Sequence, residues 1–135
     1  MDLLQVLIFG AKGTPYHLAP FVFNIQFPAT YPSVPPTVQF QSVLTSRLNP
    51  NLYENGKVCL SLLGTWDGKD CESWSPSSST VLQVIVSMQG LILGTAAPFF
   101  LEPGYELFRG SAEGIEKSLD YNQTALILSL KHTLS

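Results

Sequence analysis

The sequence predicts an α+β fold in which an antiparallel β-meander packs against helices. Two patterns predict this class: the first third of the chain has the alternation of strands, and the last third has the spacing of helices. Of the 135 residues, 45% are apolar and only 13% are charged, so the chain can bury enough surface to form a compact core. We therefore expect one domain spanning residues 1–135.

Three strands are expected at residues 3–9, 21–27 and 37–41. The second has the clearest alternation, and period two places its larger side chains on one buried face; these are Phe21, Phe23, Ile25 and Phe27. Short turns between consecutive strands favour antiparallel pairing with one covered face. Residues 28–36 contain four prolines, which predicts a rigid extended loop.

Two helices are expected in the second half. Thr80 and Gln83 have the spacing of a capping box, and the apolar run to residue 93 predicts a helix buried on most of its circumference, with Gly94 as its stop. A second helical region spans about residues 111–134, and its pattern allows a break near residues 120–123. The expected core face of that helix consists of Ala112, Ile115, Leu119, Leu126 and Leu130.

Charge and motif content exclude several function classes. The net charge is −3 and basic residues form no run, which argues against nucleic acid and anionic membrane as main partners. No apolar stretch approaches the roughly 20 residues of a membrane span. No glycine-rich phosphate loop follows a strand, so no nucleotide cofactor is expected.

The histidines and cysteines do not suggest a metal site. His17 and His132 lie near opposite ends of the chain and are interpreted as surface or partly buried polar residues, while Cys59 and Cys71 lack ligand spacing. Two cysteines are too few for a secreted disulfide scaffold, which favours a reducing compartment.

Residues 64–78 form a connection longer than ordinary loops, and such segments are usually functional or disordered. Trp66 and Trp74 could instead hold this segment in place by packing.

Cys59 is the candidate nucleophile. Between Val58 and Leu60 it could simply be a small core residue. However, a rigid Asn-Pro-Asn turn precedes it, and the Asn51 amide, eight residues upstream, could donate a hydrogen bond to an oxyanion. That combination suits acyl transfer, in which a thiol accepts an acyl group and an amine displaces it. This chemistry predicts that the Cys59 sulfur is open to solvent on a rigid support.

Several motifs occur in an order that resembles the catalytic core of ubiquitin-conjugating enzymes over nearly the whole chain. They are Gly13-Thr14-Pro15-Tyr16, Phe27-Pro28, Tyr31-Pro32, Pro35-Pro36, Pro50-Asn51, Gly56-Lys57-Val58-Cys59-Leu60 and Trp74-Ser75-Pro76. The long stretch after Cys59, with Thr65-Trp66-Asp67-Gly68, is most similar to very large members that combine conjugating and ligase functions. Pro103-Gly104-Tyr105-Glu106 matches a later motif of those members.

The resemblance implies a mechanism. Cys59 would take the C-terminal glycine of ubiquitin from the ubiquitin-activating enzyme as a thioester and pass it to a lysine of a protein substrate. Asn51 would serve the oxyanion or hold the active-site loop. A ubiquitin ligase is a further implied partner, and the cytoplasm or nucleus the implied location. A carboxylate could accept the lysine proton; the candidates are Glu54, Asp67, Asp70, Glu72 and Glu102.

The sequence also departs from the family pattern. Asn49 replaces the histidine that usually precedes Pro-Asn, Ser33 replaces an apolar residue of the ligase-docking loop, and Ala97-Pro98 replaces an acid before proline. The usual N-terminal helix is missing, so we expect an N-terminally truncated core. Two alternatives are a catalytically inactive ubiquitin-binding or scaffold module of the same fold and an unrelated α+β binding domain.

Overall fold

The fold is a three-stranded antiparallel sheet followed by helices, as predicted. The computed structural model describes residues 2–66 and 73–135. Strands β1 (Asp2–Phe9), β2 (Pro20–Phe27) and β3 (Thr37–Phe40) lie in the order β1-β2-β3, with both pairs antiparallel. The predicted meander is confirmed, each strand boundary within one residue.

Strand β2 supplies the centre of the core. Phe21, Phe23 and Ile25 are fully buried, whereas the alternate residues of the strand are only partly buried. This difference follows from the period-two pleat, which sends successive side chains to opposite faces of the sheet.

The proline-rich loop at residues 28–36 folds back on itself, so the prediction of an extended loop was wrong. Backbone bonds from Tyr31 N–H to Pro28 O (2.9 Å) and from Ser33 N–H to Thr30 O (2.8 Å) close successive turns. The Trp74 indole N–H donates to Pro32 O at 2.8 Å, and its ring packs on Tyr31. Trp74 therefore holds the end of the long connection against this loop.

The helical half begins with a 3₁₀ turn at Ser61–Leu63. Helix α1 spans Val81–Ser87, with the predicted Thr80–Gln83 capping box, and continues as a π-helical turn at Met88–Ile92. Two further 3₁₀ turns, Pro98–Leu101 and Tyr105–Phe108, lead to helix α2 at Ala112–Leu134.

Helix α1 and its π turn bury only one face. Val84, Met88 and Ile92 are fully buried or nearly so, but Leu82, Val86 and Leu91 are exposed. The expectation of burial around most of the circumference was therefore wrong, because only the face that carries Val84, Met88 and Ile92 joins the hydrophobic core.

Helix α2 runs without the allowed break and turns an unexpected face inward. Its buried residues are Gly114, Ser118, Ala125 and Ser129, whereas the larger residues of the predicted core face, Ile115, Leu119, Leu126 and Leu130, are exposed.

Close backbone approach explains this inversion at the start of the helix. A Cβ atom on Gly114 would lie 2.0 Å from Phe108 O, so no larger residue fits there. Farther along the helix, Tyr121, Leu128 and His132 do pack against the core. Hydrophobic spacing selected the wrong face because it ignores this steric limit.

Within residues 2–66 and 73–135, no helix combines the length and apolar character needed to cross a bilayer. Over the same residues, the structure holds no group of three or more His, Cys, Asp or Glu side chains that could bind a metal ion.

His132 on α2 makes the stability of the fold sensitive to acid. Its ring stacks on Phe21 at 5.3 Å and lies 5.4 Å from Phe40. Desolvation lowers the pKa of His132 from its usual 6.5, against an opposing hydrogen bond to the Pro20 backbone. The unfolded chain therefore binds more protons than the folded chain as the pH falls below about 6.5, and stability decreases there.

We expect His132→Phe, which keeps the aromatic packing but cannot ionise, to reduce this loss of stability. Urea unfolding at about pH 7.5 and pH 5.5 measures the difference. The matched control, His17→Phe, alters an exposed histidine and should keep the acid sensitivity of the wild type. Equal acid sensitivity in wild type and His132→Phe would contradict the assignment.

Candidate active site

Cys59 lies at the end of a short hairpin that follows β3. Leu52 forms an antiparallel bridge with Val58, and Tyr53 N–H donates to Lys57 O at 3.0 Å. Gly56 makes the tight turn: its φ is +88°, and an added Cβ would lie 2.8 Å from Phe40 O. Phe40 N–H in turn donates to Gly56 O at 2.8 Å, which fixes the hairpin to the edge of β3.

The hairpin register places the chemical side chains on one face. Antiparallel partners share a face with the residues two positions away on either strand. Leu52 and Val58 point into the core and are 0% and 1% exposed. The opposite face carries Asn51, Tyr53, Lys57 and Cys59. Cys59 is nevertheless one of the buried residues, at 2% exposure, although the main core cluster includes Val58 and Leu60 and not Cys59.

Asn49 holds the start of the hairpin from inside the protein. This side chain is completely buried. Its amide nitrogen donates to Tyr16 OH (3.0 Å) and to Ile92 O (3.2 Å), and its Oδ1 accepts from Asn51 N–H (2.8 Å). Asn49 therefore connects the hairpin that carries Cys59 to the π turn after α1.

The Tyr16 phenol completes this network by donating to Leu48 O at 3.1 Å. Burial is the main cause that raises the pKa of Tyr16, so its hydroxyl stays protonated and available as a donor.

Asn51 forms hydrogen bonds with both the N–H and the carbonyl of Cys59. Cys59 N–H donates to Asn51 O at 2.9 Å, and the Asn51 side-chain Nδ2 donates to Cys59 O at the same distance. One amide hydrogen of Asn51 is thus committed to the loop, which leaves the second for another acceptor.

The Cys59 sulfur is not open to solvent, contrary to the expectation from the sequence. The residue is only 2% exposed. Tyr53 is the diagonal cross-strand neighbour of Cys59, and its phenol lies close enough to interact with the thiol. A reagent can reach the sulfur only if the side chains that cover it move aside.

Open space lies next to the thiol segment. A cavity of about 690 Å³ separates it from α1 and is lined by residues that include Asn51, Leu60 and Trp66. A second cavity, of about 640 Å³, borders the other side and is lined by Lys57, Thr65 and Trp66 among others. Open space therefore borders the hairpin, although Cys59 itself lines neither of these two cavities.

Arg47 connects three parts of the candidate site, namely Tyr53, Glu102 and Pro50, and its spacing in the sequence did not indicate this. Its guanidinium carbon lies 4.0 Å from the centre of the Tyr53 ring, and its Nη2 lies 3.3 Å from Glu102 Oε2. The same nitrogen donates to Pro50 O. The sequence held one signal for the role of Tyr53: it stands two residues from Asn51, so the two side chains lie on the same face of a strand.

Desolvation is the largest cause that raises the pKa of the Tyr53 phenol; the nearby Arg47 opposes this shift and the Cys59 thiol adds to it. The phenol is therefore a proton-bearing group beside the thiol.

Two of the candidate carboxylates lie in the part of the chain that the structure describes. Glu54 is exposed on the hairpin turn, and Glu102 is the carboxylate paired with Arg47. Asp67, Asp70, Cys71 and Glu72 lie outside the described residues.

Fold and hairpin geometry together define the class of the protein. The sequence model of the ubiquitin-conjugating enzyme family matches residues 1–99, which is most of the chain. The chain belongs to the ubiquitin-conjugating enzyme family.

Individual relatives agree with this assignment. The chain is 58% identical over 131 residues to the probable ubiquitin-conjugating enzyme E2 25 of Arabidopsis thaliana, covering 97% of this chain and 21% of that protein. It is 56% identical over 131 residues to the putative ubiquitin-conjugating enzyme E2 38 of the same plant, covering 97% and 40%.

The human dual E2 ubiquitin-conjugating enzyme/E3 ubiquitin-protein ligase BIRC6 is 48% identical over 124 residues, covering 90% of this chain and 2% of that protein. The chain thus spans less than half the length of each of these relatives.

We predict that Asn49→Ala destabilises the fold by about 3 kcal/mol, because Tyr16 OH, Ile92 O and Asn51 N–H each lose a hydrogen bond. Asn55→Ala, on the exposed hairpin turn, is the control and should cost less than about 1 kcal/mol. Urea unfolding of the two variants measures both values. A loss at Asn49 no larger than that at Asn55 would refute the bracing role.

Proposed function

We propose that this chain is the catalytic core of a ubiquitin-conjugating enzyme and that Cys59 carries ubiquitin as a thioester. The observation that supports this best is the pair of hydrogen bonds by which Asn51 holds the Cys59 backbone, on the hairpin face opposite Leu52 and Val58. A non-catalytic scaffold would have no need for a thiol held in this way, so the alternative is not favoured.

The reaction has two steps. In the first, the Cys59 thiolate attacks the thioester that joins ubiquitin to the activating enzyme; a new C–S bond forms, and the thiolate of the activating enzyme leaves. In the second, a neutral lysine amine attacks the Cys59 thioester; the C–N bond forms, the C–S bond breaks, and the electron pair returns to the Cys59 sulfur. The amine proton passes to water or a carboxylate.

Asn51 assists the second step in this proposal. Its free amide hydrogen donates to the oxyanion that forms when the amine attacks, while its other hydrogen keeps Cys59 O in place. Among the described carboxylates, Glu102 is the best candidate to attract the lysine, because it belongs to the cluster that reaches Tyr53 through Arg47.

The partners follow from the family. Ubiquitin and the ubiquitin-activating enzyme are required for the first step, and a ubiquitin ligase can direct the second toward substrate lysines. We propose that residues 1–135 form this conjugating core and that it acts in a reducing compartment, the cytoplasm or nucleus, where a catalytic thiol stays reduced.

The proposal predicts a reductant-sensitive adduct when the chain is incubated with ubiquitin, activating enzyme and ATP. Cys59→Ser should abolish the reducible adduct, and Cys71→Ala is the matched control that should still form it. Non-reducing gel electrophoresis with and without thiol reductant distinguishes these results. No adduct with the wild type, or a reducible one with Cys59→Ser, would rule out the proposed function for this chain.

Asn51→Ala should slow the discharge of ubiquitin to free lysine by roughly 10²–10³-fold, the usual effect of losing one oxyanion donor. Charging of Cys59 should slow less, because only the lost hydrogen bond from Asn51 to Cys59 O affects that step. Single-turnover rates of both steps are the measurement. Equal slowing of charging and discharge would restrict Asn51 to a bracing role.

A further inference from the structure

We propose that Arg47 is a positioning residue that holds the Tyr53 phenol beside the Cys59 sulfur, where the phenol donates a hydrogen bond to the thiolate. The inference rests on the proposed function, since the thiolate is the attacking group of the first step and the leaving group of the second. It adds a residue that lies outside the hairpin and never touches the reacting atoms.

The hairpin brings Tyr53 to the thiol. Tyr53 and Lys57 are hydrogen-bonded partners, Asn51 and Cys59 are the next such pair, and all four side chains share one face. Tyr53 is therefore diagonal to Cys59, and the phenol is long enough to reach the sulfur. A thiolate accepts a hydrogen bond better than a thiol, so this contact strengthens as negative charge forms on sulfur.

Arg47 limits where the Tyr53 ring can lie. The planar guanidinium stacks over the ring at 4.0 Å, while Lys57 Nζ is farther away, at 5.6 Å from the ring centre. Arginine stacks on aromatic rings through its flat face, a geometry that lysine cannot reproduce.

Arg47 is itself fixed from two directions. Its Nη2 contacts the Glu102 carboxylate and the Pro50 carbonyl, so the guanidinium is anchored both to the residue before Asn51 and to the segment after Pro98–Leu101. Because the Arg47 guanidinium is anchored, it can hold the Tyr53 ring in one orientation.

A double-mutant cycle tests whether Arg47 acts through Tyr53. Tyr53→Phe, which removes only the hydroxyl, should slow discharge of ubiquitin to free lysine about tenfold, as expected for a lost hydrogen bond to a charged group. Arg47→Ala should slow it about two- to fivefold, the worth of an exposed cation–π contact. The double variant should be no more than about twofold slower than Tyr53→Phe, because contacting residues that act together are not additive.

Three further variants sharpen the cycle. Arg47→Lys should restore only part of the rate, since it keeps the charge but not the planar stack. Arg109→Ala removes another guanidinium stacked on a ring, 4.6 Å from the centre of Phe100, and should leave the rate unchanged. Glu102→Gln removes one anchor of Arg47, so part of its effect should be lost in the Tyr53→Phe background.

Alkylation of Cys59 by iodoacetamide provides a test that needs no ubiquitin. In a Cys71→Ala background, Tyr53→Phe and Arg47→Ala should each move the pH profile of alkylation to higher pH, and the double variant should move it no further. Changes in access alone would alter the rate at every pH without moving the profile. This result is informative even if the wild type forms no thioester.

Multiplicative losses in the Arg47–Tyr53 cycle, or equal slowing by Arg109→Ala, would each overturn the inference. An unmoved alkylation profile in both single variants would do so as well. Thermal unfolding identifies a variant that is merely unstable, and Arg47→Lys then replaces Arg47→Ala in the cycle.

Discussion

The site depends on one buried amide, the side chain of Asn49. It joins the π turn after α1 to the Cys59 hairpin through hydrogen bonds to Ile92 O, Tyr16 OH and Asn51 N–H. Asn51 then holds Cys59 at both its N–H and its carbonyl. A buried polar side chain must satisfy its hydrogen bonds, so this chain of contacts admits few other arrangements of the hairpin.

The same hairpin places the thiol of Cys59, which is 2% exposed. The pleat that sends Leu52 and Val58 to one face puts Cys59 on the other, together with Asn51 and Tyr53. Side chains can move aside more readily than a packed sheet, and cavities of about 690 Å³ and 640 Å³ flank the segment. The hairpin thus has a backbone fixed by hydrogen bonds and a sulfur that is covered by side chains.

Local periodicity in the sequence predicted the strands and the cap of α1, because alternation and a Thr80–Gln83 capping box depend on neighbours in the chain. It failed for the buried face of α2, which begins at Gly114, where the close approach of Phe108 O leaves no room for a larger residue. Motif order predicted Cys59 and Asn51 as site residues. The burial of the sulfur and the contribution of Arg47 depend on side chains brought together by folding, and no spacing rule encodes them.

The most direct measurement is to map the ubiquitin-linked residue by mass spectrometry of peptides from the charged chain, prepared without reductant. The account predicts that the C-terminal glycine of ubiquitin is joined to the peptide that contains Cys59, through a bond that hydroxylamine cleaves. Linkage to Cys71, or to a lysine with no cleavable intermediate, would contradict it.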